Sequence, residues 1–150
     1  MLDLPSLQQE RIVCSITAAI KYQVPANILL AIAEKEGGRP GMVVANRNGT
    51  YDIGPMQFNT DYLRGLVRHG ISPADVAAKG CYPYDLAAWR LRQHLLYDMG
   101  SVWARTANYH SRTAKYNLPY QEDIIIKGRK WALWLESNFP THKLTSGDPS

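Results

Sequence analysis

The stretch Ile28-Leu29-Leu30-Ala31-Ile32-Ala33-Glu34-Lys35-Glu36-Gly37-Gly38 decides how the rest of the chain is read. Its apolar run carries no strand alternation, and Pro25-Ala26-Asn27 opens it as a helix start. Gly37-Gly38 must stop it, because glycine takes the left-handed cap conformation at little cost. At 100° per residue with Leu29 at zero, Ile32, Ala33 and Glu36 fall at about 300°, 40° and 340°. Glu36 therefore projects from the middle of the apolar stripe in the last helical turn, with Glu34 and Lys35 on the other side. A carboxyl set against an apolar face loses hydration, which disfavours its charged form. The negative end of the helix dipole acts in the same direction. A carboxyl that stays protonated near neutral pH is what a general acid requires.

The same helical period runs both ways from this segment. It predicts helices over 8–22, 26–36, 58–69, 85–99, 101–109 and 121–136. A short one opens at Ser72-Pro73, with Ser72 as its N-cap. Leu86, Trp89, Leu95 and Leu96 form one stripe, and Ile125, Trp131, Leu133 and Trp134 another. Residues 39–55 break the pattern with Gly, Pro and Asn, and Asn48-Gly49 marks a turn that a small β-hairpin could use. The loop is too long to be a mere connection, which points to a functional role. Residues 140–150 are polar and read as a tail. The expectation is one all-α domain over 1–139, with no internal repeat or linker.

Composition narrows the function classes. The chain has 150 residues and a net charge of +4, and its basic side chains are scattered rather than concentrated along one helix. That argues against a nucleic-acid partner. No apolar run reaches the length of a membrane span. The start, Met1-Leu2-Asp3-Leu4-Pro5, has neither the basic end nor the apolar centre of a signal peptide. His69, His94, His110 and His142 show no metal-ligand spacing, and two cysteines are too few for a structural zinc site. No metal or other cofactor is expected. Cys14 and Cys81 are either two buried thiols or one disulfide. Nine Tyr and four Trp against two Phe give a set of rings with polar handles, suited to meeting a polar partner. Tyr82, Tyr84 and Trp89 are candidates for lining a cleft, while Trp131 and Trp134 read as core packing.

The quoted segment, extended as Ala31 to Pro40, resembles the A-I-A-x-x-E-S-G-x-x-P signature of lytic transglycosylases. Asn48-Gly49-Thr50-Tyr51-Asp52-Ile53-Gly54-Pro55-Met56-Gln57-Phe58-Asn59 is similar to their N-G-(S/T)-x-D-(L/I)-G-x-M-Q-(I/F)-N segment. That form is typical of the specialised enzymes that accompany conjugation, type III or IV secretion, and pilus assembly. Cys81 followed by Leu86-Ala87-Ala88-Trp89 resembles the family's cysteine and the helix after it, and Asn108-Tyr109-His110-Ser111 its tyrosine segment. The motifs occur in the family's order.

The resemblance implies a lysozyme-like all-α fold acting on peptidoglycan. The family cleaves the β-1,4 bond from N-acetylmuramic acid to N-acetylglucosamine without water, leaving 1,6-anhydro ends. Glu36 matches its single general acid and base. Gln57, Tyr109, Met56, Asn59 and Tyr51 match or adjoin substrate-contacting positions, and the Tyr109 hydroxyl is expected at the catalytic carboxyl or at the substrate's N-acetyl group. Asp52 matches a structural aspartate, not a nucleophile. The family's early cysteine implies a Cys14–Cys81 disulfide, and with it export to the periplasm or cell envelope and a leader absent from this chain. The implied partners are glycan strands and the proteins of a secretion or conjugation machine, with the enzyme acting as a monomer. Alternatives are a goose-type lysozyme or endolysin hydrolysing the same bond, and a non-catalytic glycan-binding assembly protein. Gly37 stands where the family usually has Ser, Pro55 where Leu is common, and the Gly-Gly-Arg-Pro spacing is one residue short.

Overall fold

In a computed structural model that describes residues 4–139, helices dominate and a three-stranded sheet interrupts them once. Helix α1 (Ser6–Tyr22) leads into α2 (Ala26–Glu36). Strands β1 (Val43–Ala45), β2 (Tyr51–Ile53) and β3 (Phe58–Asn59) form an antiparallel sheet in that order, with Val43 opposite Ile53 and Ile53 opposite Phe58. Then come α3 (Thr60–Arg64), a 3-10 turn (Val67–His69), α4 (Pro73–Ala77), α5 (Tyr82–Tyr97), α6 (Val102–Ala107) and α7 (Ala114–Asn138). Among the described residues, no helix is long and apolar enough to cross a membrane. The polar tail expected at 140–150 lies outside the described residues.

Helix α2 is the axis of the fold. Ile28 through Ala33 are all buried, so its apolar surface is the whole circumference and not a stripe. Helices α1, α5 and α7 surround it. Helix α7 is fastened to α2 along their length: Asn27 donates to the Gly128 carbonyl at 3.2 Å, Trp131 Nε1 to Glu34 at 3.1 Å, and Lys35 pairs with Asp123 at 2.8 Å. Lys130 completes the set on Glu34. Gly128 also lets the Trp103 ring of α6 pack against α7, since a Cβ there would sit 3.0 Å from that ring. Trp131 and Trp134 pack edge to face at 5.3 Å against this core, as the sequence suggested.

Cys14, in α1, and Cys81, immediately before α5, are joined in a disulfide across 67 residues of chain. It ties together two of the helices that enclose α2.

Helices α1, α5 and α6 shift from the sequence expectation by up to three residues at an end, and three differences are larger. The helix expected over 58–69 is strand β3, then α3, then the 3-10 turn. Asn59 ends the strand and caps α3 by accepting from the Asp61 N–H at 2.9 Å, and Gly65 ends α3. Helix α7 starts at Ala114, seven residues before the expected 121, and carries Pro119 inside it. A proline that lacks an N–H reads as a breaker in sequence, but the first turns of α7 tolerate it. The hairpin around Asn48-Gly49 gains a third strand. The cap at Ser72 is as expected, in full capping-box form with Asp75.

The sheet is pressed against the end of α2. A Cβ at Gly38 would lie 2.1 Å from the Gly54 carbonyl oxygen, and one at Gly54 (φ +76°) would lie 2.1 Å from that of Val76. Both obstacles are backbone, so neither can rotate away. Gly54→Ala is therefore expected to destabilise the fold by about 2–4 kcal/mol. Urea unfolding checks it, and a cost within experimental error of zero would contradict the close approach.

Candidate active site

Glu36 is the last residue of α2, and Gly37 after it takes the left-handed conformation (φ +61°) while its N–H caps the Ala33 carbonyl. Glycine is the favoured residue at such a cap, which accounts for Gly37 in this chain. The cap fixes the direction in which Glu36 leaves the helix. Two cavities meet on its carboxyl. One, of about 480 Å³, is lined by Glu36, Asn46, Asp52, Gln57, Asn59 and Arg90 among others. The second, of about 340 Å³, is lined by Lys35, Glu36, Lys115, Pro119 and Tyr120. His110 and Tyr116 border both, so the two cavities adjoin with Glu36 between them.

Burial pushes the Glu36 carboxyl from the ordinary carboxylate range up to about 7, and the negative charge of Asp52 adds to this. A hydrogen bond from Tyr120 and the charges of Arg90 and Lys35 oppose the rise without cancelling it. The residue's outline is only half-buried. Its carboxyl nevertheless lies in a largely dry setting, beneath the Tyr120 hydroxyl that donates to Oε2 at 2.8 Å. His110 stacks on the Tyr120 ring at 4.8 Å and 6°. Burial pushes the phenol of Tyr120 well up and the imidazole of His110 down, so both groups are neutral at pH 7.

Tyr120→Phe is expected to raise the Glu36 midpoint further, because the deleted hydrogen bond favours the carboxylate. A carbon-13 titration of the Glu36 carboxyl reads this directly, and a downward move would contradict the assignment of Tyr120 as its donor.

Three of the expected substrate residues stand in the cleft. Gln57 lines it in a left-handed conformation (φ 52°), with its amide donating to the Gly54 carbonyl at 2.9 Å. Asn59 lines it too, donating to Asp52 at 3.0 Å and to Thr50 at 2.9 Å. The buried Thr50 hydroxyl also accepts from Asn46 and donates to Asn48, which locks the strand-bearing loop. Tyr109 reaches the same cavity, but its hydroxyl donates to the Met56 carbonyl at 3.1 Å and not to Glu36. Met56 is fully buried and Tyr51 is about half exposed, and neither lines the cleft.

Among the proposed cleft aromatics, Tyr84 is a core residue. Tyr82 and Trp89 line a different cavity, of about 380 Å³, with Tyr22 and Ile71. Asp52 does face the main cavity, held by the Asn59 amide. Among the described residues, no group of three or more His, Cys, Asp or Glu side chains could hold a metal.

Comparison with known proteins bears on what this arrangement belongs to. The chain is 33% identical to the protein IpgF of Shigella flexneri over 116 residues, which is 74% of this chain and 76% of IpgF. The chain belongs to the IpgF family. IpgF of Shigella sonnei matches equally, and the invasion protein IagB of Salmonella typhimurium is 27% identical over 112 residues, 74% of this chain and 67% of IagB. No protein-family model matches the chain.

In this member of the IpgF family, sequence reading missed Tyr120, Tyr116 and Arg90. The first two fall in the stretch between the helices expected over 101–109 and 121–136. The available signal was the spacing Asn117, Tyr120, Ile124, Gly128, Trp131, all buried on one face of α7. Arg90 has no comparable signal, because one arginine on an amphipathic helix is ordinary.

Proposed function

We propose that the chain is a peptidoglycan lytic transglycosylase of lysozyme-like fold, with Glu36 as its single acid and base. The observation that carries this is the buried Glu36 carboxyl, pushed up to about 7, where two adjoining cavities share it as a lining residue. A polymer lying along such a cleft presents one linkage to one half-protonated carboxyl.

Glu36 gives its proton to the glycosidic oxygen as the bond from that oxygen to C1 of N-acetylmuramic acid breaks. The substrate's own N-acetyl group stabilises the positive charge at C1. The C6 hydroxyl then attacks C1 and returns its proton to the Glu36 carboxylate, closing the 1,6-anhydro ring and resetting the enzyme. No water is consumed. A residue that must act as acid and then as base works best with its midpoint near the working pH.

The amides of Gln57, Asn59 and Asn46 suit the hydroxyl and acetamido groups of sugars. The net charge of +4 suits an acidic wall polymer. Export to the periplasm or cell envelope fits the disulfide, because such bonds persist in oxidising compartments. Local opening of the wall for a secretion apparatus fits the kinship with a protein named for invasion. The unit doing this work is the domain over residues 1–139.

Asp52 in the same cavity favours a second reading, hydrolysis of the same bond by an activated water. Digestion of purified sacculi separates the outcomes. Soluble fragments released by the wild type and not by Glu36→Gln support Glu36 as the acid. Equal release by both would overturn Glu36 as the acid, and release by neither would leave a glycan-binding assembly protein as the account.

A further inference from the structure

Arg90, on α5, is a cation without a counter-ion. Its guanidinium carbon lies 4.0 Å from the centre of the Tyr62 ring and 4.4 Å from that of Tyr109. Its Nε is buried with no hydrogen-bond partner, and no carboxylate pairs with it among the described residues. Asp98, which shares a neighbouring cavity with it, is already engaged by His94, Asn108 and Arg112. A buried charge ordinarily takes an acidic partner. Here two aromatic faces take that place. Both rings are braced by fully buried Phe58, which stacks on Tyr62 at 5.8 Å and tilts against Tyr109 at 6.1 Å. The Tyr109 hydroxyl is tied down as well. Arg90 is thus held in a rigid cage, and it lines the cavity that contains Glu36.

We propose that Arg90 is a positioning residue for Glu36: the two tyrosine rings fix its charge inside the Glu36 cavity but out of ion-pair contact, so that the carboxyl can both give and regain a proton. Direct contact would hold the group as a carboxylate at neutral pH and remove the acid. Without the charge, burial alone would leave the group too reluctant to release its proton. The groups facing Glu36 are Lys35 from α2, Asp52 from β2, Tyr109 and His110 from the segment after α6, and Tyr116 and Tyr120 from α7. Arg47, in the β1–β2 turn, and Lys115 from α7 also line the two cavities, but the cations that act on the Glu36 carboxyl are Arg90 and Lys35, and Lys35 is engaged with Asp123.

The inference rests on Glu36 being the acid, but its test needs no substrate. A carbon-13 titration of the Glu36 carboxyl is run on the wild type and on Arg90→Gln, Arg90→Lys, Tyr62→Phe and Tyr62→Leu. Arg90→Gln moves the midpoint upward, a roughly threefold change in the protonation ratio at fixed pH. Arg90→Lys restores part of it. Tyr62→Phe keeps the ring, and with it the wild-type midpoint, since the Tyr62 hydroxyl has no partner. Tyr62→Leu opens the cage and moves the midpoint down as the guanidinium closes on the carboxylate. A folded Arg90→Gln with an unchanged midpoint overturns the proposal. If Arg90→Gln does not fold, an unchanged midpoint in Tyr62→Leu overturns it instead. A shifted midpoint with no sacculus digestion by the wild type strikes the proposed function alone.

Discussion

Glu36→Gln should lower glycan cleavage by about 10²–10⁴-fold while making the protein more stable above neutral pH. The second half follows from proton linkage. The Glu36 carboxyl titrates at about 7 when folded and near the ordinary glutamate value of 4.5 when unfolded, so the folded state holds the proton more tightly. Below about pH 4.5 both states are protonated and nothing is lost. Between there and about pH 7 the unfolded chain releases its proton first, and stability falls as pH rises. Above pH 7 the wild type has lost on the order of 3 kcal/mol. Glutamine does not ionise and avoids this loss. Melting curves at pH 4 and pH 8 test the point. The variant and wild type should coincide at the lower pH, and the variant should melt about 5–10 °C higher at the upper one. A variant less stable than wild type at pH 8 would mean that Glu36 is not held protonated by burial. An acid that lowers stability where it works is a cost that function explains and packing does not.

Breaking the Cys14–Cys81 bond should have the largest effect on stability. The bond closes 67 residues, and loop-closure entropy gives a contribution of about 4 kcal/mol. For a domain of this size that corresponds to roughly 10 °C in melting temperature. Cys14 is buried and Cys81 is half-buried, so reductant meets the bond from the Cys81 side. Calorimetry of the Cys14→Ser, Cys81→Ser double variant beside the oxidised wild type measures the difference. Mass spectrometry without reductant that counts two free thiols, or a double variant melting with the wild type, would contradict the pairing.

The parts of the fold that were legible in the sequence are those set by local chemistry. Helix α2 ends where Gly37 says it should, Ser72 caps α4, and Asn48-Gly49 turns a hairpin. The direction of Glu36 was legible too, because one angle on a helix is a local property. Where tertiary contacts decide, the reading failed. The last helix was expected to begin at 121, yet burial of Asn117, Tyr120 and Ile124 against the rest of the core carries α7 back through Pro119 to Ala114. Phe58 looked like the first residue of a helix, yet pairing with Ile53 makes it a strand residue that braces Tyr62 and Tyr109. The donor to Glu36 was sought at Tyr109, 73 residues on, and stands at Tyr120, whose hydrogen bond spans 84. No periodicity in one chain encodes which of two buried phenols meets a given carboxyl.

The most direct test of the account is the mass of the fragments released from purified sacculi. Cleavage by Glu36 through the C6 hydroxyl predicts muropeptides ending in 1,6-anhydro-N-acetylmuramic acid, each lighter by one water than the hydrolysis product and absent with Glu36→Gln. Reducing N-acetylmuramic acid ends, carrying an oxygen taken from the solvent, would contradict it.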